Sequence, residues 1–289
     1  MADGVILHGD NLELLAGFAD ASFQMVYADP PFNTGRRRER QTLVTRAAAD
    51  GDRVGFGGRR YRSQLVARSG YADSFDDYPA FLEPRLRELR RVLAPSGTLY
   101  LHLDYREAHY VKLLLDELFG RECFLNELIW AYDYGAKPRS RWPAKHDTIL
   151  VYVRDPDHYL FCSEQVEREP YMAPGLVTPE RAALGKLPTD VWWHTIVSPT
   201  GREKTGYATQ KPEGIVRRMV QASSRPGDWV LDFFAGSGTL GAVASALGRP
   251  FVLVDSNPEA LEVMRKRLGD EDVDYVRGSA PVGEPGEDP

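Results

Sequence analysis

Apolar positions along the chain fall into two recurring patterns. Short, nearly unbroken runs have the length of buried strands: Val5–His8, Phe23–Ala28, Thr98–Leu103, Leu125–Trp130, Thr148–Val153, Trp229–Asp232 and Phe251–Asp255. Between them apolar residues recur at helical spacing. Leu12, Leu14, Leu15 and Phe18 form one such face, with Asp10 or Asn11 placed to cap it. Phe81, Leu82, Leu86, Leu89, Val92 and Leu93 form a second, ended by Pro95-Ser96-Gly97. Ala108–Phe119, stopped near Gly120, is a third, and Ile215, Val216, Met219 and Val220 mark a fourth. A small-residue helix runs through Leu247, and Pro258–Leu268 is amphipathic. Strands alternating with helices predict an α/β sheet.

Three stretches break the pattern. Residues 35–70 hold ten arginines against three acids, a local charge of +7, with Gly51, Gly55, Gly57 and Gly58 and little periodicity. They read as a mobile basic loop: either a solvated insert or, since the charge is one-signed, a contact to phosphate. The connection 133–147 mixes Lys137, Arg139, Arg141, Lys145 and His146 with Tyr134 and Trp142, which suits a nucleic-acid surface or a polar hairpin loop. Residues 154–207 carry six prolines and read as a recognition or linker segment, anchored to the core by Trp192-Trp193. Beyond Gly278 the chain is rich in Pro, Gly and acids, and a frayed tail is expected.

With 289 residues, 43% of them hydrophobic, the chain can bury a large core. Its net charge of -6 confines any nucleic-acid site to a local patch. Cys123 and Cys162 make no CxxC pair and no metal spacing, so no metal is expected. The amino terminus lacks a basic start, and no apolar run approaches the ~20 residues a membrane span needs, so a soluble cytoplasmic protein is expected.

The chemistry concentrates in Asp29-Pro30-Pro31-Phe32. Neither proline can donate to a sheet ladder, so the preceding strand stops and the tetrapeptide is left at its carboxyl end, where open parallel sheets bind ligands. There Asp29 and the Pro30 carbonyl can accept both hydrogens of an –NH2 group, and Phe32 can stack on a ring. Holding the hydrogens of an aromatic amine lets its nitrogen become tetrahedral and aims its lone pair at an electrophile, without a strong base. The plainer alternative is a rigid turn after a strand.

Residues 229–255 supply a second motif: strand, glycine-rich turn, helix, strand and terminal acid. The glycines let backbone approach a ligand, the helix start offers N–H groups to an anion, and Asp255 can accept from ribose hydroxyls. Gly236-Ser237-Gly238-Thr239-Leu240-Gly241 also matches GxGxxG, so an NAD(P) oxidoreductase competes from this segment alone. Asp232-Phe233-Phe234-Ala235 before it looks instead like an S-adenosylmethionine motif. A methyl donor in one half and an amine-presenting turn in the other make one reaction.

Taken together, Gly9-Asp10, Asp29 to Thr34, Ser96 to His102, Lys145 to Ile149, Thr209-Gln210-Lys211-Pro212 and Asp232 to Thr239 resemble, in this order, the beta-class S-adenosylmethionine-dependent DNA amino-methyltransferases. The resemblance spans roughly 5–160 and 205–268. It implies a class I, Rossmann-like, mostly parallel seven-stranded sheet with helices on both faces and a permuted motif order. It divides the chain into a catalytic and cofactor domain (1–160 with 206–280), the basic loop (35–70) and a small irregular target-recognition segment (161–205). It implies that Asp29, Pro30, Pro31 and Phe32 hold a flipped base. The implied S-adenosylmethionine site is Asp10, Thr209, Lys211, Phe233, Ala235, Gly236, Ser237, Gly238, Thr239, Asp255 and Asn257. Asp10 would take the cofactor adenine, and Thr209 and Lys211 its carboxylate. Arg36, Arg37, Arg38, Lys137, Arg139 and Arg141 would face double-stranded DNA. A homodimer is implied, and a cognate restriction endonuclease is left open. Phe32 stands where Tyr is commoner. Asp29, where the family's cytosine enzymes more often carry Ser, favours adenine N6 over cytosine N4. RNA guanine methylation is a further alternative, though there the cofactor motif usually comes first.

Overall fold

The computed structural model describes residues 4–47, 50, 53–54, 60–135, 138–198, 200–269 and 273–277, and for 36–47, 53–54, 61–72 and 277 the backbone alone. The chain divides into two compact units, Met1–Phe32 with Asp77–Pro289, and Asn33–Asp76.

The larger unit begins with β1 (Gly4–His8) and α1 (Asn11–Leu15). Asp10 caps α1, its Oδ1 accepting the Leu12 N–H at 2.9 Å and that of Glu13 at 3.4 Å. β2 (Phe23–Ala28) follows and stops where Pro30 and Pro31 remove two ladder donors.

The smaller unit is an antiparallel ribbon of β3 (Arg36–Ala47), β4 (Arg53–Val54) and β5 (Arg60–Asp73), in the order β3-β5-β4. This corrects the expectation of an irregular loop over 35–70. The segment carries strand formers, Thr42, Val44, Thr45, Tyr61, Val66 and Tyr71, whose pattern is masked by arginines. Arg36 pairs with Asp73 in register and Ala47 with Tyr61. At its base Gly35 N–H donates to the Asp73 carbonyl at 2.9 Å, and Phe75 N–H to Asn33 Oδ1 at 2.9 Å.

The larger unit resumes with α2 (Tyr78–Val92), which runs into β6 (Leu93–Leu103), then α3 (Ala108–Phe119), ended by Gly120 at φ 96°. β7 (Phe124–Ala131) and β8 (His146–Val153) are an antiparallel pair. After α4 (Pro179–Leu184) and β9 (Val191–Trp193) come α5 (Glu213–Ser223), β10 (Val230–Asp232), α6 (Thr239–Ala246), β11 (Phe251–Asp255), α7 (Pro258–Leu268) and β12 (Val273–Arg277).

These strands form one sheet in the order β12-β1-β11-β10-β2-β6-β8-β7-β9. Among the described residues it has nine strands where seven were expected. The additions, β12 and β9, are five- and three-residue edge strands. Their own pattern is too short to announce them, and they form because β1 and β7 offer a ladder. Pairing is parallel except where β8 runs against β6 and β7.

Alternate residues serve opposite faces. Met25 and Tyr27 join a core with Ile215, Val216 and Met219 of α5, Leu240 of α6 and Met264 of α7. Val26 and Ala28 face the other way, where Leu82, Leu86 and Leu89 of α2 and Val111 and Leu115 of α3 are buried. Burying each such side chain contributes about 1.5–3 kcal/mol.

Residues 154–190 are irregular apart from two short helical turns. Trp192 is buried, donating its Nε1–H to the Thr189 carbonyl at 2.7 Å, whereas Trp193 is exposed; only the first tryptophan is an anchor. Trp192 walls a cavity of about 350 Å³ beside Thr98, Tyr100, Leu128, Phe161 and Met219, at the amino-terminal end of β6 and β7. Among the described residues no helix is long and apolar enough to cross a membrane.

Candidate active site

The sheet has a topological switch point. From β10 the chain crosses to β11 on one side, whereas from β2 it crosses to β6 on the other, and β10 and β2 are neighbours. Crevices at such points are where open α/β sheets take ligands. Here Asp232 pairs in register with Tyr27, so the glycine turn after β10 and Asp29-Pro30-Pro31-Phe32 after β2 emerge side by side.

Lys211 ties the two turns together. Its Nζ makes an ion pair with Asp29 Oδ2, and its carbonyl accepts from Thr239 Oγ1 at 3.2 Å. Both charged side chains are nearly buried, Lys211 at 11% exposure and Asp29 at 14%. The same ammonium lies 4.8 Å from the centre of the Phe32 ring. Asp29 Oδ1 is buried and has no hydrogen-bond partner among the described residues. A buried carboxylate oxygen left open in this way is an acceptor waiting for a donor.

The glycine turn is built from conformations that side chains disfavour. Gly238 has φ 70°, and a Cβ there would lie 2.8 Å from Met264 Cγ. Gly236 has φ 50°, and a Cβ there would lie 3.1 Å from the Tyr207 ring. Asp255 braces the turn: its Oδ2 accepts the Gly236 N–H at 2.8 Å and its Oδ1 the Asn257 N–H at 2.8 Å. Each oxygen keeps a further lone pair. Burial raises the Asp255 pKa above the ordinary value, against those two bonds. Asn257 caps α7 through Glu259 N–H at 3.0 Å.

Asp10 caps α1 and pairs with Arg85 at 3.3 Å, while its neighbour Asn11 donates from Nδ2 to the Phe233 carbonyl at 2.8 Å. β1 ends opposite β11, with His8 in register with Asp255. The sheet thus gathers Asp10, Asp29–Phe32, Phe233–Thr239, Asp255 and Asn257 along one edge. Thr209 lies on the turn leading to α5. Lys211 was expected beside a cofactor carboxylate; its ammonium is on Asp29. Arg139 and Arg141 are exposed on the 133–145 connection, and Lys137 and the tail beyond 277 lie outside the described residues. Arg36, Arg37 and Arg38 are on β3, in the smaller unit.

Two residues at the turn were not legible in the sequence. Tyr207 lies over Gly236 and its hydroxyl is 3.4 Å from Asn257 Nδ2. Arg267, reaching from α7, donates to Thr239 Oγ1 at 3.1 Å, the Ser237 carbonyl at 3.2 Å and Glu213 Oε1 at 2.7 Å. Neither has a local pattern that marks it.

Asp232, at the end of β10, is 3% exposed. Its pKa is held well above the ordinary carboxylate value, by burial first; the Phe234 N–H bond opposes this, and the charges of Asp29 and Asp255 reinforce it. The folded chain therefore keeps a proton that the unfolded chain sheds above about pH 4. Stability contributed this way is present at low pH and declines as pH rises toward the folded value. Asp232→Asn is expected to flatten that decline. Melting temperatures of both proteins at pH 5 and pH 8 check it; equal slopes would contradict the assignment.

The chain is similar to proteins already known. The family described as DNA methylase (N6_N4_Mtase) matches residues 23–266. DNA adenine methyltransferase YhdJ of Escherichia coli K12 is 30% identical over 271 residues, covering 91% of this chain and 82% of YhdJ. Among solved structures, the cytosine-N4-specific PvuII DNA methyltransferase superposes with a TM-score of 0.64 at 15% identity, covering 94% of this chain and 90% of that one. TTHA0409 of Thermus thermophilus, complexed with S-adenosyl-L-methionine, gives 0.58 at 20%, covering 96% and 99%. These likenesses show the class I methyltransferase fold, and the family match sets aside the oxidoreductase alternative. The chain belongs to the DNA methylase family and is an S-adenosylmethionine-dependent DNA amino-methyltransferase.

Proposed function

We propose that this enzyme methylates the exocyclic N6 of adenine at a specific sequence in double-stranded DNA, with the target base flipped out of the helix. The observation that carries the reading is the open, buried Oδ1 of Asp29 at the switch-point crevice, on the strand beside the glycine turn's own and linked to that turn through Lys211.

The residues at the edge fit S-adenosylmethionine. Asp255 keeps lone pairs for two ribose hydroxyls. The backbone from Phe233 through Thr239 is open to close approach at Gly236 and Gly238, Asn257 lies beside Asp255, and Asp10 and Thr209 are assigned to the adenine and the carboxylate. When bound, the cofactor supplies an electrophilic methyl on a sulfonium. The chain's own part is orientation. Asp29 and the Pro30 carbonyl accept the two amine hydrogens, Pro31 stiffens the turn, and Phe32 stacks on the base. With that donor bound, the nitrogen lone pair would form the N–C bond as the donor's C–S bond broke. The nitrogen, having lost its lone pair, is then strongly acidic and sheds its proton through Asp29 to water, so no strong base is required. Adenine is favoured by Asp at this position and by the relative named as an adenine methyltransferase.

Recognition is assigned to residues 161–205, with phosphate contact from Arg36, Arg37, Arg38, Arg139, Arg141 and Lys137. The exposed Met172, Leu176 and Leu184 in the first of these segments support a second copy of the chain as a partner. A cognate endonuclease would share the recognised sequence. Incubation with labelled methyl donor and duplex DNA, followed by digestion to nucleosides, tests the reading: N6-methyl-2′-deoxyadenosine is expected. Labelled N4-methylcytosine would overturn the choice of base, and label on RNA alone would overturn the substrate.

Replacing Arg36, Arg37, Arg38 and Arg40 with glutamine is expected to weaken DNA binding for all sequences alike. It should also reduce the slope of log K against log salt by up to about 0.9 for each phosphate no longer neutralised. Titrations at several salt concentrations check this; an unchanged slope would remove these arginines from the interface.

A further inference from the structure

Two segments that mark the family in the sequence, Ser96 to His102 and Lys145 to Ile149, have no part in the two-turn mechanism. The structure brings them together behind Phe32. His102, at the end of β6, is fully buried. Its Nδ1 is 2.9 Å from the Tyr27 hydroxyl and its Nε2 is 3.2 Å from Asp147 Oδ2 on β8. The other Asp147 oxygen accepts from the Tyr132 hydroxyl at 2.9 Å. The His102 ring faces Phe32 at 5.9 Å between centres with the planes 32° apart, and meets Trp130 edge-on at 5.7 Å.

The proton positions follow from the partners. Burial disfavours ionisation of Asp147, but the hydrogen bond and charge of His102, the charge of Lys211 and the Tyr132 bond outweigh it and bring its carboxyl below the ordinary value. An ionised carboxylate only accepts, so Nε2–H points at Asp147. The Tyr27 hydroxyl, kept protonated by burial first and then by the charge of Asp29, can donate to Nδ1 of a neutral ring or accept from that of a charged one. Bonds at both ring nitrogens stop the imidazole from turning about its own axis. An apolar side chain would fill the space but leave that rotation free.

We propose that His102 is a positioning residue for Phe32. Pinned by Tyr27 and Asp147, it forms a fixed rear wall that sets the plane of the phenyl ring against which the target base stacks. The inference rests on the reading of Phe32 as the stacking residue. A hydroxyl-free Phe cannot orient itself by a hydrogen bond, so its plane has to come from what lies behind it.

The test uses a duplex with 2-aminopurine at the methylated position identified by the nucleoside experiment, and reads fluorescence without cofactor. Wild type is expected to give a strong change on binding, as the base leaves the helix and stacks. His102→Leu is expected to alter that signal and to lower kcat by about 10- to 100-fold, with cofactor affinity and the KM for DNA within about threefold of wild type. Asp147→Asn keeps an acceptor for Nε2–H and is expected to retain most of both. If His102→Leu does not fold, Tyr27→Phe removes one anchor without opening a cavity and should move both readouts in the same direction. Wild-type fluorescence and kcat in a folded His102→Leu or Tyr27→Phe protein would overturn the proposal. A wild-type protein that gives no 2-aminopurine response would instead overturn the reading of Phe32 on which it rests.

Discussion

Asp29→Ala is expected to lower methyl transfer by about a thousandfold while leaving S-adenosylmethionine affinity within about threefold. The carboxylate sits at the end of β2, and the oxygen that matters, Oδ1, has no partner among the described residues. Its removal takes away an acceptor that strengthens as charge develops on the amine nitrogen, so the loss falls on kcat. The cofactor is assigned to different atoms, the turn after β10 and Asp255, so its affinity should hold. Lys211 loses its ion-pair partner, and a nearly buried charge left unpaired costs about 3–5 kcal/mol of stability. Single-turnover rates and calorimetry on the same preparation check both halves. Retained turnover would remove Asp29 from the chemistry.

Asp255→Ala is expected to do the reverse. Its two oxygens hold the Gly236 and Asn257 N–H groups at 2.8 Å each, and their remaining lone pairs are assigned to ribose hydroxyls. Hydrogen bonds to a charged group are worth about 1.5–3 kcal/mol each. Losing two weakens cofactor binding by at least about a hundredfold, and the unbraced glycine turn adds to that. DNA affinity measured without cofactor should not change. If calorimetry found wild-type affinity for S-adenosylmethionine in a folded Asp255→Ala protein, the ribose assignment would fail.

The parts legible in the sequence are those written in local patterns. The apolar run Phe23–Ala28 and the two prolines after it give β2 with both ends correct, because burial and a missing donor act within a few residues. The helical spacings at Tyr78–Val92, Ala108–Phe119 and Pro258–Leu268 carry the same kind of information. What could not be read depends on partners far along the chain. β12 exists because β1 offers it a ladder, and the ribbon of β3 and β5 because each strand pairs with the other. At the site, Lys211 meets Asp29 across 182 positions and His102 meets Asp147 across 45. A lysine before a helix and an aspartate after a histidine have no local signature saying which carboxylate or imidazole they will find. Tyr207 and Arg267 are hidden for the same reason.

The central claim is that one crevice presents a nucleobase nitrogen on Asp29 and receives a methyl donor on the glycine turn. A bisubstrate ligand, adenosine joined through its N6 by a short alkyl linker to the sulfur-bearing portion of the cofactor, tests it most directly. Calorimetry should show tighter binding than S-adenosylmethionine alone, weakened by Asp29→Ala and by Asp255→Ala, whereas S-adenosylmethionine itself is weakened only by the latter. Affinity no better than that of the cofactor, and indifferent to Asp29→Ala, would show that the two turns do not serve one site.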